Sequence, residues 1–270
     1  MNASSLKRIF CVPALLAFLC AGVAPVHAAP FISSLSEVNV DMFRIYPDKD
    51  EHVASKQLPF DDVVNGTLVQ NVNDVLLIEQ NYPLFGDKNL DNAVTSFLND
   101  AVLSFILERN AEYRELKASN KSFIRPWHRL GKYLLFSAGK DCVTVLFSTY
   151  VNTGGMHGGI ECSPLTVMRS SGKQLGIRDL FSDVDLALRI MSNYATARLS
   201  EQIGSAFNKN GAEPRLENFK HLFPVRDGIV VIFPEYQVAP YASGMQVVTI
   251  PLTELRKAAP NSAVWGQNNP

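Results

Sequence analysis

Leu90, Val94, Phe97, Ala101 and Phe105 recur at spacings of four, three, four and four, the period of one helical face. Most other apolar runs in the chain are short, rich in β-branched and aromatic residues, and bounded by turn signals. A long amphipathic helix set among strands must lay its apolar stripe on a sheet. This helix is expected to run about 25 residues to the neighbourhood of Leu116, with Asp87 or Asn89 as N-cap. Leu188, Met191, Ala195 and Leu199 predict a second long helix, and Asp183 or Asp185 suits its start. The fold class expected is therefore α+β, with antiparallel sheets covered by two long helices.

Strands fill the remainder. Residues 37–80 alternate apolar runs with turn signals, and Asn65-Gly66 within Val63 to Val69 is a strong two-residue hairpin signal. Tyr133 to Val151 and Glu161 to Met168 predict a strand pair, and Ser170 to Lys173 a turn. Asn208 to Pro214 reads as a loop and Val225 to Gly228 as a turn. The apolar strand Ile229 to Phe233 follows, and a last strand from Gln246 to Ile250 precedes a short helical end.

The first residues predict export. Lys7 and Arg8 precede an apolar run from Ile9 to Val23, and small residues follow at Val26-His27-Ala28. Cleavage is expected after Ala28. The run is about fifteen residues, short of the roughly twenty that span a bilayer, so no membrane insertion is expected after cleavage. Lipid anchoring through Cys20 is the weaker alternative, because the large Leu19 stands where a lipobox wants a small residue. The mature chain is expected in the periplasm or secreted. Removing residues 1–28 takes away two basic and no acidic residues, leaving 23 basic against 26 acidic. That balance offers no general attraction to nucleic acid or to anionic membrane.

Cys142 and Cys162 then remain. An oxidising compartment makes one disulfide between them possible, fixing the base of the loop they flank; two buried free thiols in neighbouring strands is the other reading.

Two segments carry the functional signal. Tyr150-Val-Asn-Thr-Gly-Gly-Met-His-Gly158 and Phe233-Pro-Glu-Tyr-Gln-Val-Ala-Pro-Tyr-Ala-Ser-Gly244 set aromatic residues among glycines and prolines. Gly reaches positive φ freely and Pro fixes φ, a combination that favours a rigid, partly exposed backbone surface suited to binding. Catalytic and metal signatures are missing. The histidines His52, His128, His157 and His221 lack metal-ligand spacing, and no nucleophile elbow, P-loop or dinucleotide fingerprint occurs, so neither a metal nor a cofactor is expected. His157 as a general base would need Glu161 or Asp141 beside it; the plainer expectation is that its imidazole hydrogen-bonds the loop backbone. Ser243 reads as a turn residue. Asp61-Asp62 and Asp183 with Asp185 read as a turn and a helix start, although paired carboxylates of a polysaccharide hydrolase are not legible in one sequence.

The ordered motifs Tyr150 to Gly158, Gly172 to Leu175 (Gly-Lys-x-Leu), Asp179-Leu180-Phe181, Glu217-Asn218-Phe219, Asp227 to Val230 and Ala239 to Gly244 resemble the DUF3298 family. The preceding region, with Tyr82-Pro83 before the long helix, resembles the DUF4163 domain that accompanies it. With the signal peptide at 1–28 set aside, the resemblance implies a DUF4163-like domain at 29–168, a DUF3298-like domain at 169–258 and a C-terminal tail at 259–270. This pairing is found in the ectodomain of RsiV-type anti-sigma factors, where it implies lysozyme recognition, and ahead of the catalytic domain of PdaC-type peptidoglycan deacetylases. No sigma-binding, transmembrane or deacetylase segment is expected here. The resemblance implies a non-catalytic binding module for a cell-wall-related partner, lysozyme first and peptidoglycan second. The contact residues it suggests are Thr153, Gly154, Gly155 and His157 on one loop and Pro234, Tyr236, Pro240 and Tyr241 on the other. The bland alternative assigns the tyrosines to closing the core, the prolines to a strand edge and the glycines to backbone geometry.

Overall fold

The computed structural model describes residues 31–43, 63–72, 75–119 and 125–266; the signal peptide, Cys20, His52 and Asp61-Asp62 lie outside them. The strands in chain order are β1 (Phe31–Ile32), β2 (Val64–Val72), β3 (Leu76–Leu84), β4 (Trp127–Ser137), β5 (Cys142–Asn152), β6 (Gly159–Met168), β7 (Leu222–Val225), β8 (Gly228–Phe233) and β9 (Gln246–Pro251). Helix α1 (Lys88–Ala118) stands between β3 and β4. Four more follow β6: α2 (Ile177–Leu180), α3 (Val184–Ile203), α4 (Leu252–Leu255) and α5 (Ser262–Trp265).

Both long helices begin where the sequence marks them. The Asp87 carboxylate accepts from the backbone N–H groups of Asn89 and Leu90, at 3.0 and 3.3 Å, and Asp183 accepts from Leu186 N–H at 2.9 Å. These are N-cap bonds that satisfy donors the first helical turn leaves unpaired. Helix α1 outruns the expected length, reaching Ala118 with Ser119 as C-cap. It buries Leu90, Val94, Leu98, Val102 and Phe105 as one stripe, so the face is turned slightly from the one expected, and Phe97 and Ala101 lie half-buried at its edge.

The first sheet has the order β2-β3-β4-β5-β6, and β1 pairs with β4 beyond the stretch that β3 uses. It is mixed, not antiparallel as expected, because β4 runs parallel to both β3 and β1. The cause is α1, a helical crossover that brings the chain back in the same direction, which a tight hairpin cannot do. Asn65-Gly66 is also not a turn: β2 runs straight through both residues, paired with Pro83 and Tyr82. Gly66 instead admits the Tyr82 ring, whose nearest atom would stand 2.5 Å from an added Cβ. The second sheet is the antiparallel meander β7-β8-β9.

Four layers result, in the order α1, first sheet, second sheet, α3. Period-two alternation produces them. On β5, Val143, Val145 and Phe147 face the α1 side, while Leu146 faces the second sheet. On β8, Val230 and Ile232 face the first sheet, while Ile229, Val231 and Phe233 face α3. Between the sheets Phe136 packs on Phe223 with ring centroids 4.4 Å apart. Residues 31–43 close the side of this interior: Ile32 and Phe43 are buried in it, and Ser34 Oγ and Leu35 N–H both donate to Asp227. Residues assigned to a C-terminal tail are docked, since Trp265 packs on Phe181 and its indole N–H donates to Val225 O at 2.9 Å.

The disulfide does not form. Cys142 and Cys162 are both free and buried. Register explains why: Cys142 pairs with Met168 while Cys162 pairs with Ser148, six residues further along β5. At about 3.3 Å per residue the two lie roughly 20 Å apart, far beyond the ~7 Å Cα separation a disulfide tolerates. Burial pushes both thiols up to about 12.

Candidate docking surface

The β5–β6 turn is held by side chains from outside it. Asn152 Oδ1 accepts from Gly154 N–H at 2.8 Å, and its Nδ2 donates to Tyr150 Oη at 3.3 Å. Arg125, two residues before β4, donates from Nη1 to Gly154 O at 2.9 Å. Gly154 sits at φ 82, where a side chain would be strained and would also meet Arg125. Gly158 lies flat against the Tyr150 ring, with no room for a Cβ. Thr153, Gly155 and His157 are exposed on this frame, and Met156 is 86% exposed.

The β8–β9 connection is held from below. Val238 and Ala239 are buried and anchor it. Gln237 donates from Nε2 to Gly211 O at 2.8 Å and to Asn218 O at 2.9 Å, and Asn218 in turn donates to the carbonyls of Asn210 and Glu213. Ser243 is the turn residue expected: its N–H donates to Pro240 O, and its carbonyl accepts from Gln246 Nε2. Above these anchors, Tyr236 is 72% exposed and stacks on Tyr241 with centroids 5.6 Å apart and planes at 28°.

Fold topology brings the two segments to one pole. Tyr241 Oη donates to Gly158 O at 3.4 Å, and the Glu235 carboxylate lies 3.6 Å from where a Cβ of Gly159 would stand. Tyr236 adopts φ 68, the left-handed region that favours glycine, while keeping a large exposed ring. Such a conformation costs on the order of 1 kcal/mol and persists only where the surroundings hold it. The tyrosines thus do not close the core; Pro240 is exposed beside them and Pro234 half-buried.

One smaller expectation is corrected. Among the described residues the His157 imidazole has no hydrogen bond; Asn152 and Arg125 hold the loop instead. Neither acid proposed for His157 is engaged with it. Glu161 pairs with Arg129 at 3.3 Å, and Asp141 lies at the far end of β5, bonded to Ser170. Asp183 caps α3 and Asp185 lies in its first turn. Among the described residues no three of His, Cys, Asp and Glu group as metal ligands, and no helix is long and apolar enough to cross a membrane.

Sequence reasoning missed Arg125, Asn218 and Glu235. Asn218 was visible only as the centre of the Glu217-Asn218-Phe219 motif, and nothing local set Arg125 or Glu235 apart from other charged residues.

Comparison with known proteins agrees with this architecture. Residues 178–253 match the family model described as "Protein of unknown function (DUF3298)". Peptidoglycan-N-acetylmuramic acid deacetylase PdaC of Bacillus subtilis (strain 168) is 26% identical over 218 residues, 78% of this chain and 45% of that protein. The chain therefore spans less than half the length of this relative. The crystal structure of a DUF3298 family protein from Pseudomonas aeruginosa PAO1 superposes with a TM-score of 0.54 at 15% identity, covering 76% of this chain and 98% of that one. A DUF3298 family member from Bacteroides fragilis NCTC 9343 gives 0.53 at 17% identity, covering 77% and 97%. At these identities the likeness is one of fold, and its coverage extends well beyond residues 178–253. The chain therefore carries a DUF3298 domain over residues 178–253, within a fold that it shares with these two DUF3298 structures.

Proposed function

We propose that this chain is an exported, non-catalytic binding protein of the cell envelope. It docks a cell-wall-related partner on the pole built by the two loops, with lysozyme the first candidate and peptidoglycan glycan the second. One observation carries the reading: two segments some eighty residues apart are braced separately from beneath and meet with exposed aromatic residues uppermost. Rigid, amphipathic tyrosines supply contact area at low entropic cost, which makes such a tip suited to a protein or sugar surface. The likeness to a relative whose name places its activity on peptidoglycan supports a cell-wall context. The DUF4163-like region at 29–168 belongs to the same proposal, as the layer against which the DUF3298 domain is built.

The test is calorimetry of residues 29–270 with c-type lysozyme, alongside Tyr236→Ala and Thr153→Trp. The expected result is micromolar or tighter binding, weakened at least tenfold by Tyr236→Ala, which removes a central aromatic contact, and lost in Thr153→Trp, which buries the opposite loop under an indole. Absence of binding at high micromolar concentration would reject lysozyme of this class. Purified sacculi would then be tested with the same variants.

A further inference from the structure

We propose that Glu235 is the charged determinant of this docking surface and that it receives a lysine or arginine side chain from a protein partner; the inference rests on the loop pole being a docking surface. Glu235 is half-buried between the two loops, with its carboxylate over Gly159, where the missing side chain leaves the approach open. Among the described residues it has neither a hydrogen bond nor an ion pair. The neighbouring acid, Glu161, stands two residues along the same face of β6 and is already occupied by Arg129, whose side chain is 8% exposed. Around Gly159 there are therefore two carboxylates to one guanidinium, and His157, on the adjoining loop, is exposed and unbonded.

A partly desolvated carboxylate with no partner is unfavourable in the free protein, and here burial alone raises its pKa. The next residue, Tyr236, is held in the left-handed region. Two successive residues thus break local rules on a loop whose other members are well bonded, and such departures concentrate at sites of function. A cation arriving from a partner offsets the first of these costs. Its alkyl stem would lie along the Tyr236 and Tyr241 rings, an arrangement that suits a long basic side chain. A bare metal ion fits poorly, because no three ligating side chains group among the described residues.

The experiment compares wild type, Glu235→Gln, Glu235→Lys and Tyr236→Ala, binding c-type lysozyme and purified sacculi at about 50 and 300 mM salt. Glu235→Gln is expected to weaken binding roughly 10-fold at low salt and to flatten its salt dependence; Glu235→Lys weakens it roughly 100-fold, and Tyr236→Ala acts equally at both salts. Glu235→Gln is also expected to melt at or above the wild-type temperature at pH 7, since it removes an unpaired charge. Wild-type affinity and salt dependence in Glu235→Gln would overturn the inference alone, as would abolition of binding by EDTA or a melting temperature several degrees lower. Failure of wild type to bind either partner would remove the docking reading, and the inference with it.

Discussion

Alanine at Gly211 is expected to lower stability by about 2–3 kcal/mol and to weaken partner binding at least tenfold, although Gly211 is far in sequence from either exposed loop. An added methyl would coincide with the Gln237 carbonyl and stand 3.0 Å from the Val238 side chain. Backbone cannot turn aside as a flexible side chain can, so residues 237–238 must lift. Lifting them breaks the Asn208 N–H bond to Val238 O, the two bonds made by the Gln237 amide, and the burial of Val238. Tyr236 is next in the chain and moves with them. Denaturant unfolding and calorimetry measure the two effects. Gly155→Ala is the control for stability: its methyl would make an ordinary 3.5 Å contact with the His157 carbonyl and should change stability by less than about 0.5 kcal/mol. Equal losses in both variants would mean that the β8–β9 connection is not seated on Gly211.

Much of this architecture is legible in the sequence because its causes are local. The caps at Asp87 and Asp183, the buried face of α3, part of that of α1 and the turn at 226–227 follow from side chains within a few residues of each other. What escapes is set by pairing. Asn65-Gly66 carries a hairpin signal in isolation, but the Tyr82 ring from the neighbouring strand claims the space above Gly66 and makes it a strand residue. Parallel pairing of β3 with β4 is invisible until α1 is known to cross the sheet. Cys142 and Cys162 flank one loop in sequence, yet the long β5–β6 register sets them six residue pairs apart along the ladder. The docking surface divides the same way. Its tyrosines, glycines and prolines stand out as residue types, whereas Glu235 differs from other glutamates only by the burial and missing partner that its fold environment imposes.

Phe223→Ala is expected to have the largest effect on stability, about 3–5 kcal/mol, because the ring is fully buried between the sheets and its loss leaves a cavity no neighbour can fill. Phe136 lies against it at 4.4 Å and Phe43 stacks beyond, so the cavity opens in the one cluster that contains the first sheet, the second sheet and residues 31–43 together. This position also decides whether residues 29–168 and 169–258 fold as separate domains. The chain has two tryptophans, one on each side of the shared layer. Trp127 lies with Phe105 under α1, and Trp265 lies with Phe181 beside α3. Variants keeping a single indole, Trp127→Phe and Trp265→Phe, therefore report each half by fluorescence. Burial of apolar surface from both sheets in one interior predicts coincident transitions that shift down together by roughly 8–15 °C in Phe223→Ala. Separate midpoints, with only the Trp265 signal moving, would instead make the first sheet with α1 a domain that holds without the second, and the inter-sheet layer an interface between two independently stable units.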